Sequence, residues 1–263
     1  MDFVVDGRKV FAATGGVSFD STKPVMVFIH GAGMDRTVWG THARFFAHRG
    51  FAVLALDLPG HGRSEGGPLT SMKEIASWIV QVLDAVEVAS ATLVGHSMGG
   101  SVALETAANH PSRVDRLILM GTAPEIPVHP KLLELASEDP SEAYRMMTDW
   151  SHGDLGHKGG QRSPGTWVLK NTLVTFGRSR PGVLRNDLEA CAAWDTGRQS
   201  AASLSAPSLV ITGRFDRMTR EKVGRELAEL IPGAQHVSMP DAGHSMMNEL
   251  PDETIKLMAE FVS

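Results

Sequence analysis

Cysteine is almost absent from the chain, and this scarcity limits the chemistry that the protein can support. Cys191 is the only cysteine among 263 residues, so no disulfide can form within the chain and a cysteine-rich metal site is excluded. A thiol nucleophile needs a basic neighbour, but Cys191 lies in the alanine-rich, helix-like segment 188–193 with no obvious base nearby. We therefore interpret Cys191 as a small buried side chain.

Long apolar runs and long basic runs are also missing. The longest apolar runs, such as Val25–Ile29, have the length of a strand, and the N-terminus has no basic region followed by a long apolar stretch. The formal net charge is −5, and no run of lysine or arginine provides a basic face for a phosphate backbone. These absences predict a soluble, cytoplasmic protein that binds neither nucleic acid nor membrane.

Motifs for metals and dinucleotides are lacking as well. Histidines and carboxylates do not cluster at recognised ligand spacings, and no glycine-rich dinucleotide fingerprint appears. The sequence therefore predicts no metal and no cofactor. Its 42% hydrophobic and 21% charged residues are ordinary values for a globular protein with a substantial core. Nothing in the pattern indicates an oligomeric state.

Apolar, β-branched runs alternate with longer helix-like segments along most of the chain. This alternation predicts an α/β fold with a mostly parallel, eight-stranded sheet and helices on both faces. The first two strands are an exception, because Phe3–Asp6 and Lys9–Ala13 flank a turn and predict an antiparallel hairpin at one edge. The other predicted strands are 24–30, 51–57, 91–94, 116–121, 207–212 and 235–239. The predicted helices of this part are 38–49, 71–86, 98–109, 220–230 and 252–262.

The strand pattern stops between residues 122 and 205. This segment carries helix-like stretches separated by four prolines, which are Pro130, Pro140, Pro164 and Pro181. We predict a helical cap at 122–205, inserted into one core domain formed by residues 1–121 and 206–263. Length permits this organisation, since a single α/β domain with an insertion commonly reaches this size.

The segment Gly95-His96-Ser97-Met98-Gly99 matches the pattern G-x-S-x-G between a predicted buried strand and a predicted helix. A serine hydroxyl is a weak nucleophile, so it must be held at a sharp turn where a base can reach it. Flanking glycines let the helix pass close to the strand. The motif by itself is also compatible with a glycine-rich helix start that binds an anion.

Two later residues supply the partners that a nucleophilic serine requires. Asp216 follows the strand that ends at Thr212, and the carboxyl ends of parallel strands are where α/β sheets build their sites. His244 follows the last predicted strand, and its imidazole can take the Ser97 proton while Asp216 fixes the tautomer. Asp216 could instead be a turn residue. Asp241 is a competing acid, but from the same loop it would hardly reach the far ring nitrogen of His244.

Together these motifs resemble those of the α/β-hydrolase superfamily, especially its small capped bacterial esterases. The resemblance is carried by His30-Gly31-Ala32-Gly33, Asp57-x-Pro59-Gly60-His61-Gly62-x-Ser64, Gly95-His96-Ser97-Met98-Gly99-Gly100, Gly213-x-x-Asp216 and Gly243-His244. It covers both predicted parts of the core and leaves residues 122–205 largely outside. It implies an oxyanion hole formed by the backbone N–H groups of Ala32 and Met98.

In this fold, several conspicuous polar residues more often hold loops than take part in catalysis. They are His30, Asp57, His61 and Arg63. His96 adjoins the serine, and the adjacent position directs its side chain away from the reacting group. These five residues are therefore left out of the predicted triad.

The leading hypothesis is hydrolysis of a small carboxylic ester or related acyl substrate through an acyl-enzyme. Carbon–carbon bond hydrolysis, lactone hydrolysis and cofactor-free perhydrolysis could use the same triad. Ala32 counts against perhydrolysis, since perhydrolases of the family tend to have a large aromatic residue there, and Ser97 counts against the aspartate-dependent dehalogenases and epoxide hydrolases. A ligand-binding or sensor protein with the same fold is the alternative from another class.

The predicted cap is expected to close over the site and to provide an apolar pocket. Candidates for this pocket are Met146, Met147, Trp150 and Trp167. Packing inside the cap is an equally good interpretation of each of these four side chains.

Overall fold

Eight strands form one sheet within residues 1–160 and 165–263, the part of the chain that the computed structural model describes. The strands are β1 (Asp2–Val5), β2 (Arg8–Ala13), β3 (Val25–Ile29), β4 (Ala52–Leu56), β5 (Ala91–His96), β6 (Val114–Met120), β7 (Ser208–Gly213) and β8 (Gln235–Met239). Their order across the sheet is β1-β2-β4-β3-β5-β6-β7-β8. Only the pairs β1–β2 and β2–β4 are antiparallel, which confirms the predicted fold class and the N-terminal hairpin.

The parallel strands end at one common edge of the sheet. Ile29 pairs with Gly95, His96 with Met120, and Gly213 with Met239, each at or next to the end of its strand. The loops that follow these strands therefore lie side by side. Open α/β sheets place their ligand sites at this edge.

The helices of the core part are α1 (Gly40–Ala47), α2 (Met72–Ala85), α3 (Met98–Asn109), α10 (Glu221–Leu230), α11 (Met246–Glu249) and α12 (Pro251–Val262), and those between β6 and β7 are α4 (Pro130–Glu138), α5 (Pro140–Ser151), α6 (Asp154–His157), α7 (Val168–Phe176), α8 (Val183–Ala192) and α9 (Gly197–Ala202). Every residue of β3, β4 and β5 is buried. Successive strand side chains point to opposite faces, so both faces of the central sheet are covered by other elements.

The segment 122–205, which we call the cap, contains α4 to α9 and no strand among its described residues. Pro130 and Pro140 each occupy the first position of a helix, where the missing N–H costs nothing. Pro181 lies two residues before α8. Pro164, the fourth proline used to separate the predicted cap helices, lies outside the described residues.

Two differences from the sequence prediction bear on the site. Strand β5 continues to His96, two residues further than predicted, so that Ser97 follows the strand directly. Helix α11, which begins two residues after His244, was not predicted, because four residues are too short to show a helical period. None of the described helices is long and apolar enough to cross a membrane.

Candidate active site

Ser97 occupies a sharp turn between β5 and α3. Its backbone angles are φ 53° and ψ −120°, a conformation that residues with a Cβ rarely adopt. The turn is held because Ser97 N donates to Met120 O at 2.9 Å and Gly100 N donates to Ser97 O at 2.8 Å. The strain is thus supported by strand β6 and by the first turn of α3.

Glycine is required on both sides of this turn. A Cβ on Gly95 would lie 2.2 Å from Gly99 O, and a Cβ on Gly99 would lie 2.3 Å from Ile29 O. Both neighbours are backbone atoms, which cannot move aside independently. The glycines of the motif therefore allow α3 to start directly against β3 and β5.

His244 and Asp216 form a buried pair on the loops after β8 and β7. His244 Nδ1 is 2.7 Å from Asp216 Oδ2, and both side chains are shielded from solvent. A carboxylate oxygen accepts, so Nδ1 carries the proton and Nε2 keeps its lone pair when the imidazole is neutral. This is the tautomer that a general base requires. Asp241 is not among the described partners of the His244 ring.

Thr219 is a polar neighbour of this pair that the sequence analysis did not single out. Its hydroxyl oxygen is 2.8 Å from Asp216 Oδ2, 2.8 Å from Gly121 O and 3.2 Å from His244 Nδ1. Thr219 N and Met218 N donate to the other carboxylate oxygen, Oδ1. A side-chain carboxylate that accepts from backbone N–H groups two and three residues later forms a common turn. The local sequence alone could therefore have indicated these two hydrogen bonds.

Ser97 and His244 line one cavity of about 430 Å³. Gly31 and Ala32 line the same cavity from the loop after β3. The apolar wall contributed by the cap includes Leu132, Met147, Trp150, Phe176 and Leu188. The cavity thus lies between the carboxyl edge of the sheet and the cap.

The four predicted pocket side chains do not share one location. Met147 and Trp150 line the cavity, whereas Met146 and Trp167 are not among the described residues that do so. Met146 packs half-buried against the hydrophobic core, and Trp167 is 56% exposed just before α7. Consecutive helix residues point about 100° apart, which separates Met146 from its neighbour Met147. Met146 therefore belongs to the packing of the cap and Trp167 to the protein surface, in place of the predicted position in the pocket.

The backbone N–H groups of Ala32 and Met98, the two predicted oxyanion donors, form no hydrogen bond with a described residue. Met98 is the first residue of α3, where the backbone N–H has no partner inside the helix. The Ala32 N–H likewise donates to no described protein acceptor, and Ala32 borders the cavity. Met98 follows Ser97 directly in the chain, and Gly31, the residue before Ala32, packs against Ser97, since a Cβ on Gly31 would lie 3.3 Å from Ser97 Cβ.

Other polar residues of the motifs hold loops. Asp57 accepts from Arg36 N at 3.0 Å and from Arg63 N at 2.8 Å, and pairs with the Arg36 guanidinium at 2.6 Å. His96 Nε2 donates to the carbonyl of His244 at 3.0 Å. Burial holds the pKa of His96 well below its ordinary value, so this ring stays neutral. Its hydrogen bond to the carbonyl of His244 stabilises the loop that carries His244.

Glu249 is a second residue that the sequence reasoning missed. Its Oε1 accepts from Gly243 N at 2.8 Å and its Oε2 from Gly153 N at 2.7 Å, so it joins the loop of His244 to the cap. Burial raises the pKa of Glu249 to about 7 against the opposing effect of these two N–H donors. No local sequence signal distinguishes it from an ordinary helical glutamate.

The described residues contain no group of three histidine, cysteine, aspartate or glutamate side chains arranged to hold a metal ion. A strained serine after a parallel strand, opposite a histidine–aspartate pair on later loops, is the arrangement by which α/β hydrolases are recognised. Residues 24–249 match the family described as the α/β hydrolase fold. The chain belongs to this family, as its motifs predicted.

Relatives of known name include more than one kind of hydrolase. The chain is 30% identical to a 2-hydroxy-6-oxononadienedioate/2-hydroxy-6-oxononatrienedioate hydrolase of Burkholderia vietnamiensis, over 90% of this chain and 86% of the relative. It is 28% identical to a pimeloyl-[acyl-carrier protein] methyl ester esterase of Yersinia enterocolitica, over 90% and 92%. The crystal structure of an enol-lactonase from Burkholderia xenovorans LB400 superposes with a TM-score of 0.84 at 25% identity, covering 100% of this chain and 99% of that one.

Proposed function

We propose that this protein is a serine hydrolase that cleaves a small carboxylic ester through an acyl-enzyme, with Ser97 as nucleophile, His244 as general base and Asp216 as the orienting acid. The observation that carries the proposal is that Ser97 and His244 line one cavity while the far nitrogen of His244 is bonded to buried Asp216. Relatives named as esterases support the same reaction class.

In the proposed mechanism, Ser97 Oγ attacks the ester carbonyl carbon and His244 Nε2 takes the hydroxyl proton. The tetrahedral oxyanion accepts from the N–H groups of Ala32 and Met98, each donor contributing about 3 kcal/mol to transition-state stabilisation. His244 then returns the proton to the departing alcohol, leaving an acyl-enzyme. His244 Nε2 then takes a proton from a water molecule as that water attacks the acyl carbon. The bond from the acyl carbon to Ser97 Oγ breaks, His244 returns the proton to Oγ, and the carboxylic acid leaves.

The cavity favours a small, largely apolar substrate. Its volume of about 430 Å³ lies toward the lower end of the range for small-molecule sites. The wall supplied by Leu132, Met147 and Trp150 is apolar, which suits an acyl or alcohol chain rather than a polymer. A short to medium acyl chain is the expected preference.

The test is hydrolysis of nitrophenyl esters of increasing acyl length by the wild type, Ser97→Ala and Ser101→Ala. Ser101 is a matched control, since it lies one turn further along α3 and is fully buried. We expect Ser97→Ala to lower kcat by about 10⁴-fold or more, and Ser101→Ala to retain most activity. Turnover by folded Ser97→Ala at the wild-type rate would refute the assigned nucleophile.

Carbon–carbon bond hydrolysis is the second candidate, because the 30% identical relative is named as a hydrolase of 2-hydroxy-6-oxo dienedioates. Lactone hydrolysis follows for the same reason from the enol-lactonase structure. Adding one vinylogous diketone, one enol-lactone and one peracid-forming assay to the ester panel separates the four chemistries by kcat/KM. If the folded wild type turns over none of them but a ligand stabilises both it and Ser97→Ala, the ligand-binding alternative is favoured.

A further inference from the structure

Asp187 of cap helix α8 reaches into the core beside the loop that carries Ala32. The side chain is 1% exposed, and its Oδ2 lies 2.8 Å from Gly33 N and 2.8 Å from His61 Nε2. A carboxylate is costly to bury unless it is paired and hydrogen-bonded, and here one oxygen meets both conditions. The cap therefore contacts two core loops through a single buried anion.

The hydrogen-bond pattern defines the charge of His61. Its Nδ1 is 3.0 Å from Pro59 O and its Nε2 is 2.8 Å from Asp187 Oδ2, and both partners are acceptors. Both ring nitrogens must then donate, which only the imidazolium can do. Burial alone would lower the pKa of His61, but the Asp187 carboxylate outweighs burial and the pKa is raised. The pair is thus a buried ion pair across the junction of cap and core.

Two peptide groups flank Ala32, and Asp187 bonds the second of them, whereas core groups bond the first. Gly31 O accepts from His30 Nδ1 at 2.9 Å and from Met34 N at 3.2 Å. The Gly31–Ala32 peptide is planar and trans, so fixing its carbonyl fixes the opposite direction of the Ala32 N–H. The next peptide group, between Ala32 and Gly33, is also fixed, because the Gly33 N–H donates to Asp187 Oδ2.

We propose that Asp187 is a positioning residue through which the cap orients the Ala32 N–H toward the oxyanion of the reaction. The inference rests on the proposed function above. Close packing of the cap on this loop supports the proposal. Gly33 has φ +67°, and a Cβ there would lie 2.9 Å from Leu184 Cδ1, a side chain of the same cap helix as Asp187. The cap is then part of the catalytic geometry in addition to being a wall of the pocket.

A suitable control is another buried carboxylate that joins cap and core without contacting this loop. Glu105 of α3 accepts from Trp194 Nε1, Thr196 Oγ1 and Ser200 Oγ of the cap at 2.6–2.9 Å. We expect Glu105→Gln to weaken the attachment of the cap, and none of the described side-chain partners of Glu105 belongs to the loop of Ala32. An effect specific to Asp187 therefore separates oxyanion positioning from general attachment of the cap.

The first experiment compares wild type, Asp187→Asn, Asp187→Ala and Glu105→Gln on the best ester of the panel. For both Asp187 variants we expect kcat to fall about 10- to 100-fold with KM nearly unchanged, since small displacements of catalytic groups act on the transition state. Binding of a trifluoromethyl ketone, which forms an oxyanion adduct with serine, should weaken by the same factor. Asp187→Asn preserves side-chain size in case Asp187→Ala fails to fold, as judged by circular dichroism.

The second readout is independent of turnover. Hydrogen exchange at the Gly33 amide should be faster in Asp187→Asn than in wild type and Glu105→Gln. Wild-type kcat in a folded Asp187 variant, an equal loss in Glu105→Gln, or unchanged Gly33 exchange would each overturn the inference. Absence of Ser97-dependent turnover in the wild type would instead refute the proposed function, and Gly33 exchange would then decide whether Asp187 holds the loop.

Discussion

The carboxylate of Asp216 uses its two oxygens for different partners. Oδ1 accepts from the backbone N–H groups of Met218 and Thr219, at 2.8 and 2.7 Å, while Oδ2 faces His244 Nδ1 and the Thr219 hydroxyl. Rotation of the carboxylate would break all of these bonds together. The orientation of the imidazole is therefore set by the turn that follows Asp216 as much as by Asp216 itself.

At this scale we predict that Thr219→Val lowers kcat about 10-fold, because the carboxylate loses a donor beside the histidine. Loss of one buried hydroxyl bond should also reduce the free energy of unfolding by about 1 kcal/mol. Thr219→Ser keeps the hydroxyl and should restore kcat. The measurement is steady-state kinetics on the preferred ester with denaturant unfolding of both variants. Equal kcat in Thr219→Val and wild type would show that the hydroxyl has no part in orienting the pair.

At the scale of elements, the end of α5 is bonded directly to the loop that carries His244. Ser245 N donates to Ser151 O at 2.8 Å, and Glu249 of α11 accepts from Gly243 N and from Gly153 N. Glycine is required at 243, because a Cβ there would lie 2.6 Å from Gly153 N. The cap wall of the cavity and the loop of His244, the proposed general base, are thus connected through one buried carboxylate and one backbone hydrogen bond.

This connection predicts a pH-dependent contribution of Glu249 to stability. Its pKa is raised to about 7 in the folded protein from an ordinary value of 4.5, so folding favours the protonated form. The stability contribution is fully present below about pH 4.5 and is lost as pH rises to about 7. Relative to Glu249→Gln, the wild type should lose roughly 2–3 kcal/mol of unfolding free energy between pH 5 and pH 8.

Urea unfolding of wild type and Glu249→Gln at pH 5 and pH 8 measures this difference. Glu260→Gln is the control, since Glu260 is an exposed glutamate on the neighbouring helix α12. The control should follow the wild type at both pH values. A constant difference between wild type and Glu249→Gln would contradict the prediction.

At the scale of the whole molecule, several histidines are buried in neutral form between elements. Burial lowers the pKa of His30 to about 4, of His42 to about 3 and of His152 to about 4. The unfolded chain takes up these protons first, near pH 6.5, as the pH falls. The corresponding stability is present above about pH 6.5 and is lost between there and pH 3–4, so the protein should be sensitive to acid.

His42 allows this prediction to be tested away from the site. Its Nε2 is 2.8 Å from Thr254 Oγ1, joining α1 to α12. Between pH 7.5 and pH 5, the wild type should lose about 2 kcal/mol of unfolding free energy that His42→Gln does not lose. His48, an exposed histidine just after α1, supplies the control His48→Gln. Parallel pH dependence of wild type and His42→Gln would exclude this contribution.

The cap is attached to the core by buried carboxylates that lie far apart in the chain from their partners. Asp187 meets Gly33 and His61, Glu249 meets Gly153, and Glu105 meets donors between Trp194 and Ser200. Two of these three contacts lie next to the loops of Ala32 and His244. Movement of the cap is therefore expected to reach both halves of the candidate site.

The eight strands and the longer helices of the core could be predicted from the sequence, as could the chain order of Ser97, Asp216 and His244. Strand 235–239 and helix 98–109 have the predicted bounds, and the other core elements differ by a few residues at their ends. Ser97, Asp216 and His244 could be singled out because their constraints are local. Ser97 lies in a glycine-flanked turn after a buried strand, and Asp216 and His244 follow two later strands. A short stretch of sequence is enough to recognise each of these features.

The contacts between polar groups that lie far apart in the chain could not be predicted from the sequence. Asp187 lies 154 residues from Gly33, and Glu249 lies 96 residues from Gly153, so no local pattern pairs them. It also separated Met147 and Trp150, which line the cavity, from Met146 and Trp167. Side-chain periodicity in the sequence identifies which face of a helix is apolar. It does not identify what that face, or a buried charge, will contact, because these contacts depend on how the cap packs against the core.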